Sequence, residues 1–289
     1  MVAAIDRCLS LVETLAPESE GLSLGDLAQR VDLPKSAAHR MLATLVQRGY
    51  VRQDPVTHAY MLSLRLALLA FRYLDARQLP DAAQTVLDRL ARETGEYCRL
   101  ALVDGEELVW IARAQGASQG LRYDPDMGQE VVLHATATGK AWLATLPESE
   151  ALRIVCARGF RAPPHAGKRL VRGVVGLRQH LAETRRRGYA IAIDEGEMGI
   201  VALAATFRAW DGDDAPVAGT LSVAGPIARL GRERHESIAG ALARAAHDVS
   251  ALWSLRQRQR RNPPMLPRGD EPAGRVAAAR PRAARASAR

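Results

Sequence analysis

The stretch GLSLGDLAQRVDLPKSAAHRMLATLVQRGYVRQD, residues 21–54, decides how the rest of the chain is read. Ser23 stands as an N-cap before LGDLAQRV, with Asp26 three residues on in the place of a capping box. Leu24, Leu27, Ala28 and Val31 follow at the spacing of one inward helical face. Asp32-Leu33-Pro34 ends that helix, because proline lacks the backbone N–H and pushes the preceding residue out of helical geometry. The pattern then predicts a third helix over about residues 35–48, closed by Gly49 as its C-cap. On this helix Ala38, Met41, Leu42 and Leu45 share one side, while Ser36, Arg40 and Gln47 fall opposite, flanked by Ala37, His39 and Thr44.

Working outward, residues 4–16 place Ile5, Cys8, Leu9, Val12 and Leu15 at helical spacing, so a first amphipathic helix is expected there. After Gly49 the runs YVRQ and AYML flank DPVTH, two short β-prone segments around a proline-containing turn. Helix, capped helix, turn, helix, hairpin is the order of a winged helix-turn-helix, whose third helix enters the DNA major groove while the wing touches the backbone. Charge supports this only locally. Residues 256–289 hold ten Arg against Asp270 and Glu271, so the formal net charge of +8 belongs to that tail, and residues 1–255 balance 30 basic against 30 acidic groups. Between positions 35 and 53, however, Lys35, Arg40, Arg48 and Arg52 stand without an acid, the polarity a duplex attracts. Alone, Ser36, Arg40 and Gln47 would be an ordinary solvated face; within the whole constellation they become candidates for DNA contact. With them go Lys35, Ala37, His39 and Thr44, and, in the wing, Thr57 and His58, for which a plain polar turn is an equal alternative.

Residues 64–77, LRLALLAFRYLDAR, form a helical pattern too apolar for a solvated linker and are expected to pack against a partner chain. From Pro80 a further helix ends at Gly95, and RLALVDGEELVWIARA reads as two strands around Asp104-Gly105. Helices are expected over 137–146, after Pro147 and near 173–187, strands at 189–193, 201–208 and 217–224, and a last helix over about 231–260. The fold class is therefore α/β in the broad sense, an α+β arrangement of hairpin-connected strands with helices against them. The expected division is a winged helix-turn-helix at 1–63, a linking or dimerising helix at 64–79, a larger α+β domain at 80–255, and at 256–289 the end of the last helix with a disordered tail rich in Arg, Ala and Pro. Cys8, Cys98 and Cys156 are scattered without metal-ligand spacing, so no metal or cofactor is expected. With no signal segment or membrane span legible, a soluble, cytoplasmic protein is expected.

Across residues 21–54 the chain resembles the IclR family of bacterial transcriptional regulators. The resemblance continues in order through LVDGEELVWIARAQG, LHATATGKAWLATLPE, RRRGYAIAIDEGEMGIVALAATF and GTLSVAGPIARL, nearly to residue 253. It implies a homodimer or tetramer on a near-palindromic operator, with a GAF-like domain whose small organic or aromatic acid effector alters operator affinity. A repressor of a catabolic operon is the reading it favours. By match to the family's ligand pocket, Ala137, Thr138, Ala202, Ser222 and Ala224 are the candidate effector contacts. This chain departs from the pattern. Ala192 and Ile193 replace acids common before the loop glycine, leaving Asp194, Glu195 and Glu197; Ala202 stands where Cys or Ser is common, and Ala224 where a second Ser often occurs. Fewer hydroxyl donors disfavour a short, strongly solvated acid and point to a larger, more apolar effector.

Other motifs are discounted. Gly21-Leu22-Ser23-Leu24-Gly25 has the form G-x-S-x-G, but it precedes a short capped helix rather than following a buried strand. Thr138-Gly139-Lys140 lacks the first glycine and the magnesium-binding hydroxyl of a P-loop. His134 and Lys140 have no catalytic partner at useful spacing and read as a satisfied core histidine and a helix-end lysine, and Arg185 to Arg187 as a solvated helix end. Two alternatives stay open: a small-molecule enzyme dimerised by its N-terminal helices, and a constitutive DNA-binding protein without effector.

Overall fold

In the computed structural model, residues 3–77, 80–120, 122–210 and 214–261 are described. The arginine-rich segment 262–289 lies outside them, and with it the expected disordered tail.

The N-terminal unit consists of α1 (Ala3–Leu15), α2 (Leu24–Arg30), α3 (Lys35–Gln47), β1 (Val51–Gln53) and β2 (Tyr60–Leu62). Ser23 is a cap: its Oγ accepts from the Asp26 amide at 3.2 Å and donates to the Asp26 carboxylate at 2.7 Å. At the end of α3, Gly49 takes φ +75°, and the amides of Gly49 and Tyr50 return to the carbonyls of Val46 and Leu45. A side chain there would be strained, which is why the chain turns into the wing at a glycine. Leu11 and Leu15 of α1, Leu27 of α2, Leu42 and Leu45 of α3, and Val51 and Tyr60 of the wing close one core. Each such side chain contributes about 1.5–3 kcal/mol by leaving water.

The apolar stripe of α1 is only partly used. Cys8 and Val12 are half-buried, while Ile5 and Leu9 are 60% and 56% exposed, and Leu11 fills the core instead. The stripe is wider than the face that the short α2–α3 pair can cover. A comparable surplus follows in α4 (Arg65–Arg77), where Leu68, Leu69 and Phe71 are exposed.

The remainder is built on a five-stranded antiparallel sheet of order β4-β3-β7-β6-β5, from β3 (Tyr97–Asp104), β4 (Glu107–Gln115), β5 (Ala190–Ile193), β6 (Ile200–Arg208) and β7 (Val217–Pro226). Pairing of Asp104 with Glu107 leaves Gly105 and Glu106 as the hairpin tip, with Gly105 at φ +61°. Alternation splits each strand between two faces. Cys98, Leu100, Leu203, Leu221 and Val223 point to α5 (Pro80–Thr94) and α9 (His235–Arg261). The opposite face meets α6 (Ala137–Leu143), α7 (Glu148–Arg158) and α8 (Val174–Arg187). A short 3-10 turn, Arg232–Arg234, opens α9 where one continuous helix was expected.

Helix α6 also stops earlier than the expected residue 146. Just past its end, Arg185 of α8 donates from Nε to the Ala144 carbonyl at 2.8 Å and from Nη2 to that of Leu146 at 3.0 Å. Arg185 is thus a tie between α8 and α6 rather than part of a solvated helix end.

Candidate nucleic-acid interface and effector pocket

On α3 the burial phase separates the two faces. Ala38 and Leu42 are fully buried and Leu45 nearly so, whereas Lys35, Ser36, His39, Arg40, Thr44 and Gln47 are exposed and Ala37 is half-buried. Neither Lys35 nor Arg40 makes an ion pair among the described residues, so both cations are available to an outside partner. The Thr44 hydroxyl returns to the Arg40 carbonyl at 3.1 Å.

In the wing the Asp54 carboxylate accepts from the amides of Val56 and Thr57 and from the Thr57 hydroxyl at 3.1 Å. These bonds hold its pKa below the usual range. The Thr57 hydroxyl also accepts from the Ala59 amide at 3.3 Å, so it serves the turn first. His58 sits at φ +58° with its ring exposed at the tip.

On the sheet face under α6 lies a cavity of about 90 Å³. Its lining brings together Thr138 of α6, Ala202 of β6, and Ser222 and Ala224 of β7, residues spread over 87 positions of sequence. Register explains the meeting: Ala202 pairs with Ala224 and Ala204 with Ser222 across β6–β7. Ala137 is elsewhere, packed at zero exposure among Ala141, Ala190, Ala192 and Ala204 beneath the helix. Gly139 permits this close seating, since a Cβ there would lie 2.3 Å from the Leu133 carbonyl oxygen. The irregular segment between β4 and α6 covers the cavity with Tyr123, Gln129 and Val132, and a second cavity of about 480 Å³ adjoins it, sharing Gln129, Val132, Pro163 and Glu197.

The acids retained near the loop glycine have separate tasks. Asp194 is structural, accepting from the amides of Gly199 at 2.8 Å and Lys168 at 3.2 Å. Glu195 is 3% exposed and bound through both oxygens, at 2.7 and 2.8 Å, to the ammonium of Lys140, which is itself completely buried. Lys140 also donates to the Ile191 carbonyl at 3.0 Å and lies 3.0 Å from His180 Nδ1. It is therefore an internal tie, not a helix-end lysine; its partner is 55 residues away and invisible to local spacing. Glu197 accepts from the Tyr123 hydroxyl at 2.8 Å. His134 is buried as expected, edge-on to Phe160, but its Nε2 has no partner among the described residues.

Sequence reasoning missed Arg99 altogether. It sits on β3, directly opposite Ser222 on β7, and lines the cavity at 7% exposure. Its guanidinium lies 3.5 Å from the centroid of Trp110, and among the described residues its Nε and Nη1 have no hydrogen-bond partner. Burial pulls its pKa below the usual value. The cavity thus carries a cation that the count of Ser and Cys positions did not register. The signal was available: an Arg within the otherwise apolar run YCRLALV.

A winged helix with a free basic reading face, followed by an antiparallel α+β domain with an internal pocket, defines a ligand-responsive DNA-binding regulator. Residues 4–55 match the IclR helix-turn-helix domain, and residues 71–251 match the family described as bacterial transcriptional regulator IclR C-terminal. The chain belongs to the IclR family of transcriptional regulators. It is 30% identical over 254 residues to the transcriptional repressor IclR of Escherichia coli (strain K12), covering 87% of this chain and 90% of that protein. An IclR transcriptional regulator structure from Alicyclobacillus acidocaldarius superposes with TM-score 0.73 at 25% identity, over 88% of this chain and 99% of that one. An IclR homolog from Microbacterium hydrocarbonoxydans, complexed with 4-hydroxybenzoate, shares the fold with TM-score 0.69 at 24% identity, over 86% and 97% of the two chains. The family is one of regulators, and the enzyme alternative falls with that finding.

Proposed function

We propose that this regulator is a repressor of a catabolic operon, bound to its operator as a homodimer or tetramer and released when a small organic or aromatic acid occupies the cavity beneath α6. The observation that carries the reading is the pairing of an exposed cationic face on α3, without ion pairs among the described residues, with a half-open cavity lined by Thr138, Ala202, Ser222 and Ala224 in the same chain. Repression is supported by the names of related proteins, among them the Escherichia coli repressor and the acetate operon repressor of Salmonella typhimurium. In this reading residues 1–63 read DNA, 64–79 join copies, and 80–255 sense the acid. Lys35, Ser36, Ala37, His39, Arg40, Thr44, Gln47 and His58 are the DNA-facing set, with Thr57 shaping the wing.

The test is salt-dependent binding to the chain's own upstream intergenic DNA against random duplex, repeated after removal of residues 262–289. Specific binding should survive truncation. Non-specific binding that vanishes with the tail would reduce the interaction to polycation behaviour.

Association of copies is assigned to α4, whose Leu68 and Phe71 are 50% and 63% exposed, whereas Leu66 is half-buried. Leu68→Asp with Phe71→Asp is expected to shift the sedimenting species toward half the mass and to weaken operator binding with it. An unchanged oligomer with unchanged operator affinity would remove α4 from the interface.

A further inference from the structure

The junction between α3 and α4 is made from backbone groups that helix ends leave without partners. Gly49, at φ +75°, turns its amide back to the Val46 carbonyl, and its own carbonyl accepts from the hydroxyl of Ser63, 14 positions on. The same Oγ accepts from the Arg65 amide at 3.1 Å, in the first turn of α4. One hydroxyl therefore closes the end of the reading helix and the start of the joining helix together. The Ser63 amide donates to the Tyr50 carbonyl at 2.9 Å, carrying the β1–β2 ladder one step past the pairing of Val51 with Leu62. Arg65 adds a stack, its guanidinium 5.4 Å from the centroid of the Tyr50 ring, and its Cδ passes 3.7 Å from where a side chain on Gly49 would begin.

Side-chain packing holds α4 only weakly. From Arg65 to Leu74 no side chain is buried, and Leu64, just ahead of the helix, is 85% exposed. The direction in which α4 leaves the winged helix is thus set at its first turn, by Ser63 and by the stack of Arg65 on Tyr50. In a dimer joined through Leu68 and Phe71, the angle at this turn fixes how far apart the two α3 helices stand. The separation of operator half-sites has to match that distance.

We infer that Ser63 is a positioning residue for DNA recognition: by tying the Gly49 carbonyl to the first turn of α4, it determines which half-site separation the paired reading helices accept. This rests on the reading in which α4 joins copies. Ser63 acts through the placement of Arg40 and Gln47 and not by touching a base. Alanine in its place keeps the amide bond to Tyr50 and loses both hydroxyl bonds, whereas threonine keeps them.

The test is selection by the full chain from a library of random duplexes, sequenced to give the half-site motif and the distribution of separations. Band shifts follow on the selected site with its centre lengthened or shortened by two base pairs, which turns one half-site about 70° around the duplex relative to the other. The parent should select paired half-sites at one separation and bind that spacing at least about tenfold more tightly than either altered one, because a misplaced half-site forbids simultaneous engagement. Ser63→Ala should sediment as the parent does and select the same half-site motif over a spread of separations, with the affinity ratio reduced to about threefold or less. Ser63→Thr should restore the narrow distribution. A serine that merely stabilised the fold would not behave so, since loss of folded protein lowers binding to every spacing together and leaves the ratio unchanged.

An equally narrow distribution for Ser63→Ala and the parent would overturn the inference and leave α4 as the joining helix. So would a changed half-site motif in that variant, which would place the serine in base recognition, or isolated half-sites selected by the variant alone, which would place it in the contact between copies. Ser63→Thr behaving as Ser63→Ala would remove the hydroxyl from the account. Isolated half-sites, or no motif, selected by the parent would defeat the joining role of α4 itself and this inference with it.

Discussion

Replacing Lys140 by Met is expected to lower the unfolding free energy by about 3–5 kcal/mol, because it strands the Glu195 carboxylate in the interior. Burial alone pulls the Lys140 ammonium down and pushes the Glu195 carboxyl up, while contact between the two opposes both shifts. With both oxygens within 2.8 Å of Nζ and the Ile191 carbonyl also accepting, the pair holds as an ionic contact. Its removal loosens α6 from the turn after β5, the two walls between which the cavity opens. Denaturant melts give the measurement. The double variant Lys140→Met with Glu195→Leu should recover more than half of the loss, since replacing both members of a buried pair is far less costly than orphaning one. A single variant within about 1 kcal/mol of the parent would show that the pair carries no such weight.

That pair also shows where local sequence reasoning stops. The N-terminal unit is legible because its devices are local. A serine cap with an acid three residues on, a proline break, a glycine with positive φ and an apolar line at three, four and seven residues each act within a turn or two of helix. Residues 21–54 therefore carried both the elements and the exposed face of α3. The α1 stripe misled for the same reason. Ile5 and Leu9 are apolar and in phase, but what a helix buries depends on the size of what it meets.

In the sheet domain the strands were legible from alternation, but their order was not. The cavity is made by the register that sets Arg99 against Ser222 and Ala202 against Ala224, and by a covering segment with no regular structure. Family resemblance located Thr138, Ala202, Ser222 and Ala224 because those positions carry recurring residue types. It passed over Arg99, which a pattern built on hydroxyls and acids gives no reason to notice. Lys140 and Glu195 were each visible, and only the fold across 55 positions makes them partners.

Arg40→Ala is expected to weaken operator binding by about 1–3 kcal/mol, or roughly 5- to 150-fold, while changing random-duplex binding far less. Arg40 is exposed on α3 without an ion pair among the described residues, on the side opposite buried Ala38 and Leu42, so a guanine edge would meet a guanidinium free to bond through two N–H groups. Lys35, at the start of the same helix, is the proposed phosphate contact. Lys35→Ala should weaken operator and random DNA alike and reduce the salt dependence by about the one counterion that a single phosphate contact releases. Measured side by side over a range of salt, the two variants separate the roles, because an electrostatic contact moves the slope and a base contact moves the ratio of specific to non-specific binding. Equal losses on operator and random duplex for Arg40→Ala would remove it from base recognition. The reading contacts would then fall to Gln47, His39 or the wing.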